Sequence, residues 1–84
     1  MKKNFLLREV AGEYLLVPLI DGETQFNSII TMNETGAFIW KRLEDNLSCN
    51  QIAEEMTKEY NVTYQQAVAD VQEYINYLKE KDII

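Results

Sequence analysis

An Asp-Gly pair at residues 21–22, set between the runs "EYLLVPLI" and "QFNSIITM", constrains this chain more than any other feature. Asp-Gly between apolar runs is among the stronger short hairpin signals, because a type I′ turn needs positive φ at both central residues and glycine takes it without strain. Ala11-Gly12 makes a second turn, between "FLLREV" and "EYLLVPLI". Together they predict a three-stranded antiparallel meander over roughly residues 5–10, 13–20 and 25–32. The middle run is apolar on both alternations (Tyr14 and Leu16 on one, Leu15, Val17 and Leu19 on the other), which suits a central strand. Pro18 removes one ladder donor. Counting across the first turn sets it opposite Phe5, where the first strand is ending.

The chain changes character at Asn33, from the strand-like "FNSIITM" to the helix-like "ETGAFIWKRLE". Asn33 can cap a first helix, with Glu34 favoured in the first turn by the helix dipole. Ser48 to Gln51 reads as a capping box opening a second helix that runs to about Tyr60. Thr63 to Gln66 reads as another, opening a third helix that ends near Lys81. Ile39 and Leu43, Ile52 and Met56, and then Val68, Val71, Ile75 and Leu78 recur at helical spacing. Short connections pack the three helices as one unit on the sheet. The expected architecture is a single α+β domain over residues 1–84, winged helix-turn-helix-like, with the strands preceding the helices.

A chain of 84 residues buries only about 60–65% of its unfolded surface, which allows one core and no deep enclosed cavity beside it. Chemistry has few footholds. Histidine is absent, and with it the commonest general base and zinc ligand. The single cysteine, Cys49, can form neither an internal disulfide nor a metal cluster, and reads as a small residue beside a cap. The three glycines, at 12, 22 and 36, are isolated, so no phosphate loop exists. The expectation is a protein that is not an enzyme, with no catalytic residue, metal or cofactor. No run approaches the roughly 18 apolar residues of a membrane span, and "MKKNFLLREV" is no signal peptide, so the expected place is the cytoplasm.

The net charge of −6 argues against nucleic acid and fits a partner of basic or apolar character. Between Ser48 and Leu78 the helix-turn-helix portion carries five acids (Glu54, Glu55, Glu59, Asp70, Glu73) against Lys58 alone, a balance that phosphate repels. Trp40, Phe38 and Tyr77 could be ligand anchors, but aromatic residues at helical spacing more often belong to a core, and Trp40 then needs an acceptor for its indole N–H.

In a meander the first and third strands are both edges, and proteins usually guard edges with charge, proline or a cover. The first strand has Lys2, Lys3, Arg8 and Glu9 on or beside it, whereas nothing charged falls from Gln25 through Asn33. Such an edge is covered by the chain itself, pairs in a homodimer, or receives a peptide by β-augmentation. In the last case the candidate contacts are Phe26, Asn27, Ile29, Ile30 and Thr31 on the third strand. Val68, Val71, Gln72 and Ile75 on the third helix would form the facing wall.

These residues carry a family resemblance. "REVAGEYLLVP", then "FNSIITMNETGAFIWKRLED", then a long helix ending "YLKEKDII" resemble the PqqD family over residues 8 to 84, most specifically at "MNETGAFIW". The resemblance implies a winged helix-turn-helix domain of the kind called a RiPP recognition element, without catalysis and in this case stand-alone. Such domains bind the leader segment of a ribosomally made precursor peptide as a further strand. They present it to a modifying enzyme, often a radical S-adenosylmethionine protein. The other reading open at this point is a structural or regulatory protein that homodimerises through its third-strand edge.

Overall fold

The computed structural model describes residues 4–24, 29–81 and 83–84. Its strands are β1 (Asn4–Val10), β2 (Glu13–Ile20), β3 (Glu23–Thr24) and β4 (Ile30–Met32), and its helices are α1 (Glu34–Glu44), α2 (Cys49–Glu59) and α3 (Tyr64–Glu80). Both tight turns have positive φ at their two central residues: Ala11 at 53° and Gly12 at 83°, Asp21 at 52° and Gly22 at 80°. This is the backbone of a type I′ turn, whose twist matches the strands it joins.

β2 is the central strand. β1 pairs antiparallel along one edge, with Phe5 opposite Pro18 and Leu7 opposite Leu16. On the other edge lie β3 and β4, also antiparallel, so three strand positions are filled by four segments. The third strand expected over residues 25–32 is thus only partly observed. Thr24 sits opposite Leu19 and Ile30 opposite Leu16, six residues of one chain segment against three of the other. β3 and β4 therefore do not share one unbroken ladder. An odd offset of this kind also reverses which alternation faces the core, so counting by twos from one segment misplaces the other. Residues 25–28, with Phe26 and Asn27 among them, lie outside the described part.

The helix starts follow their caps. Asn33 accepts the Gly36 N–H at 2.8 Å. Ser48 and Gln51 form the full reciprocal box, at 2.8 and 3.2 Å. Thr63 accepts from the Gln66 N–H, but the Gln66 side chain donates forward to Asp70 at 2.9 Å instead of back to the cap, so this box is half made. α1 ends in a Schellman motif: Asn46 takes a left-handed φ of 61°, while Asn46 and Leu47 donate to the carbonyls of Leu43 and Arg42.

Two buried clusters hold the domain. Ile39, Ile52, Ala53, Met56, Ala67 and Val71 join the three helices to one another. Leu16, Trp40, Leu78 and Ile83 join the sheet to α1, α3 and the residues after α3. Leu43 and Tyr74 pack against both clusters. Trp40 is in the core as its spacing suggested, with Phe5 edge-on to it at 5.8 Å. Its indole N–H has no acceptor among the described residues. No helix is long and apolar enough to cross a membrane.

Candidate functional site

β4 is a three-residue strand with unlike sides. Ile30 and Met32 turn inward onto the sheet–helix cluster, while Thr31, on the opposite alternation, is exposed. One backbone edge pairs with β2, and among the described residues no strand pairs with the other. Every second residue of a strand directs its N–H and C=O away from a given neighbour, so the free edge offers unpaired backbone groups.

Beside that edge runs α3, and between them lies an open groove of about 360 Å³. Thr31, Met32 and Asn33 form the strand wall; Asp70, Glu73, Tyr74 and Tyr77 form the helix wall. Spaced three, four and seven residues apart, the last four share one face of α3. Tyr74 fixes the width of the groove. Its hydroxyl meets the Met32 sulfur at 3.7 Å. It also lies so close to Gly36 that a Cβ there would stand 2.9 Å from it. Gly36 stands in the first turn of α1. Here it admits the phenol against α1. Burial, with a smaller contribution from neighbouring Tyr77, pushes the Tyr74 phenol up to about 12. The Tyr77 ring stands 5.9 Å from that of Tyr74 and remains 38% exposed, an aromatic surface open to a ligand.

The nine sequence-derived candidates fall in different places. Phe26 and Asn27 lie outside the described residues, Ile29 and Ile30 are half-buried, and Thr31 lines the groove. Val71 is wholly buried among the three helices, and Val68 and Ile75 pack against the same cluster. Gln72 is exposed and lines a second depression, of about 530 Å³, with Glu73 and Tyr77. The helix wall facing β4 is therefore a neighbouring stripe of α3, turned away from the apolar Val68–Val71–Ile75 stripe. Periodicity finds the stripe that faces a core. A stripe that faces a groove shows only as tyrosines out of phase with it, and Tyr74 and Tyr77 carried that signal. Met32, Asn33, Asp70 and Glu73 had none.

The class defined so far is a small winged helix-turn-helix-like α+β domain with a free sheet edge beside its last helix. Residues 7–84 match the family described as coenzyme PQQ synthesis protein D (PqqD), and the chain belongs to that family. No curated protein matches it. Among solved structures, one described as TbiB1 in complex with the TbiA(beta) leader peptide superposes with a TM-score of 0.76. It covers 99% of this chain and 93% of its own at 21% identity, a likeness of fold. Another, described as lasso peptide synthetase B1 complexed with the leader peptide, has a TM-score of 0.73 and 27% identity. It covers 92% of this chain and 85% of its own.

Proposed function

We propose that this domain captures the leader segment of a ribosomally synthesised precursor peptide as an added strand on the free edge of β4, and presents it to a modifying enzyme. The observation that carries the proposal is the β4 edge, unpaired among the described residues, facing a groove walled by Tyr74 and Tyr77. Membership of the PqqD family supports it, as do two leader-peptide complexes of similar fold. In strand addition the backbone supplies affinity and side-chain contacts supply selectivity. Nothing in that role requires a catalytic group, and the domain acts as a non-catalytic chaperone. A radical S-adenosylmethionine maturase is the kind of enzyme it would serve, and the cytoplasm is where such a pair would work.

The test is a calorimetric titration with the leader segment of the precursor encoded beside its gene. A second copy of that peptide is N-methylated at alternate backbone nitrogens on the pairing side. The unmodified peptide binds, and the methylated one binds at least about tenfold more weakly, or ~1.4 kcal/mol. Tyr77→Ala weakens the unmodified peptide without altering the melt. Equal binding of the two peptides would rule out strand addition. Titrations that find only self-association through β4 would favour the homodimer.

A further inference from the structure

We propose that the strand taken up by this groove is basic, with a Lys or Arg side chain seated at Asp70 and Glu73 and an apolar side chain beside it on Tyr74 and Tyr77. The inference rests on the strand-addition reading and supplies the chemistry of its ligand.

The groove's charge lies entirely on one wall. Asp70 and Glu73 are one turn apart on α3, and the Thr31, Met32 and Asn33 side chains opposite carry no charge. Asp70 is half-buried and held by the Gln66 amide at 2.9 Å. Among the described residues neither carboxylate has a Lys or Arg partner; the ion pair described is Arg42–Glu55, between α1 and α2. Glu73 and Tyr77 also line the second depression, on the adjoining outer face of α3 with Gln72, Asn76 and Glu80. A described cation, Lys81, has its ammonium 5.7 Å from the Tyr77 ring, toward the C-terminal end of α3. The Asp70–Glu73 end is therefore the acidic one. Carboxylates in a cleft with low-dielectric walls focus their field on a bound ligand. A chain of net charge −6 adds to the attraction for cations and the repulsion of anions.

The spacing sharpens the inference. Midpoint to midpoint, the Asp70–Glu73 pair and the Tyr74–Tyr77 pair are four residues apart, about 6 Å along a helix. Successive same-side residues of an extended strand are about 6.6 Å apart. A strand lying along the groove therefore reaches both features with side chains at positions i and i+2. The pattern is Lys/Arg-x-apolar, read in whichever direction the strand runs.

The probe is a library of short random peptides displayed on phage, selected in parallel on the wild-type protein and on the Asp70→Lys/Glu73→Lys variant, both checked by thermal melt. Wild-type winners carry Lys or Arg two positions from an apolar residue, and variant winners carry Asp or Glu there. A basic winner binds the lysine variant about tenfold more weakly. On Asp70→Asn/Glu73→Gln, which keeps the shape of both side chains, its affinity loses most of its salt dependence. Should the lysine variant not fold, this pair of measurements decides the matter alone. Winners weakened by alternate backbone N-methylation but lacking basic residues would overturn the charge proposal and leave strand addition standing. Winners insensitive to N-methylation, or no winners at all, would overturn both.

Discussion

Tyr74 meets three elements with one side chain: its own α3, the Met32 sulfur of β4 and the Gly36 face of α1. The sequence motif "MNETGAFIW" thereby acquires a physical reason, since any side chain at 36 would displace the phenol that sets the groove. The cap at Asn33 and the burial of Trp40 were legible from residue type and spacing. The Gly36–Tyr74 contact was not, because its partners are 38 positions apart and glycine in a helix shows only as a weak break in propensity. The raised Tyr74 pKa makes a prediction at this scale. The phenol titrates near 10 when the chain is unfolded and at about 12 in the fold. The stability linked to its proton is therefore complete below pH 10 and declines as pH rises through that window, because the unfolded chain ionises first. Tyr74→Phe has no such proton. Denaturant unfolding of the two proteins at stepped pH should show the wild-type advantage shrinking across the window by up to about 2 kcal/mol, allowing for partial exposure. Parallel curves would mean that the phenol is solvated as freely as in the unfolded chain.

At the scale of elements, helices were the readable part. Each is announced by a side-chain cap and carries its apolar stripe at constant phase, so α1, α2 and α3 start where Asn33, Ser48 and Thr63 place them. The hairpins were readable for the same local reason: Ala11-Gly12 and Asp21-Gly22 turn the chain whatever follows. The third strand was harder. "FNSIITM" has Ile29 and Ile30 adjacent, so its pattern does not choose one alternation, and the offset between β3 and β4 is set by pairing with β2. The facing stripe of α3 depends likewise on packing, and Val71 tests it. Its side chain is fully buried among Ile39, Ile52, Ala53 and Met56. Val71→Asp should therefore cost more than about 4 kcal/mol, as burial of an unpaired carboxylate does, and abolish the cooperative melt by circular dichroism. A variant that melts like wild type yet loses its peptide would instead put Val71 in the groove wall.

On the scale of the whole molecule, shape and charge point to different partners. α2 and α3 are joined as in a helix-turn-helix, an arrangement that in other proteins sets a helix into the major groove of DNA. Here the corresponding surface carries Glu54, Glu55, Glu59, Asp70 and Glu73 against Lys58. Nucleic-acid affinity comes largely from cations neutralising phosphates and releasing the counterions condensed there. A surface with one cation among five anions releases few and repels the rest of the backbone. The sheet is no substitute reader, because its free β4 edge faces the acidic wall of α3 across the groove. On the proposed reading, the arrangement that disfavours a phosphate chain favours an extended, positively charged peptide. Fluorescence anisotropy with a labelled random-sequence duplex at physiological salt should thus show no binding at micromolar protein. Lowering the salt should not rescue it, since weaker screening strengthens repulsion between like charges as well. A micromolar complex that weakens steeply with added salt would show a cationic surface that the described residues do not display.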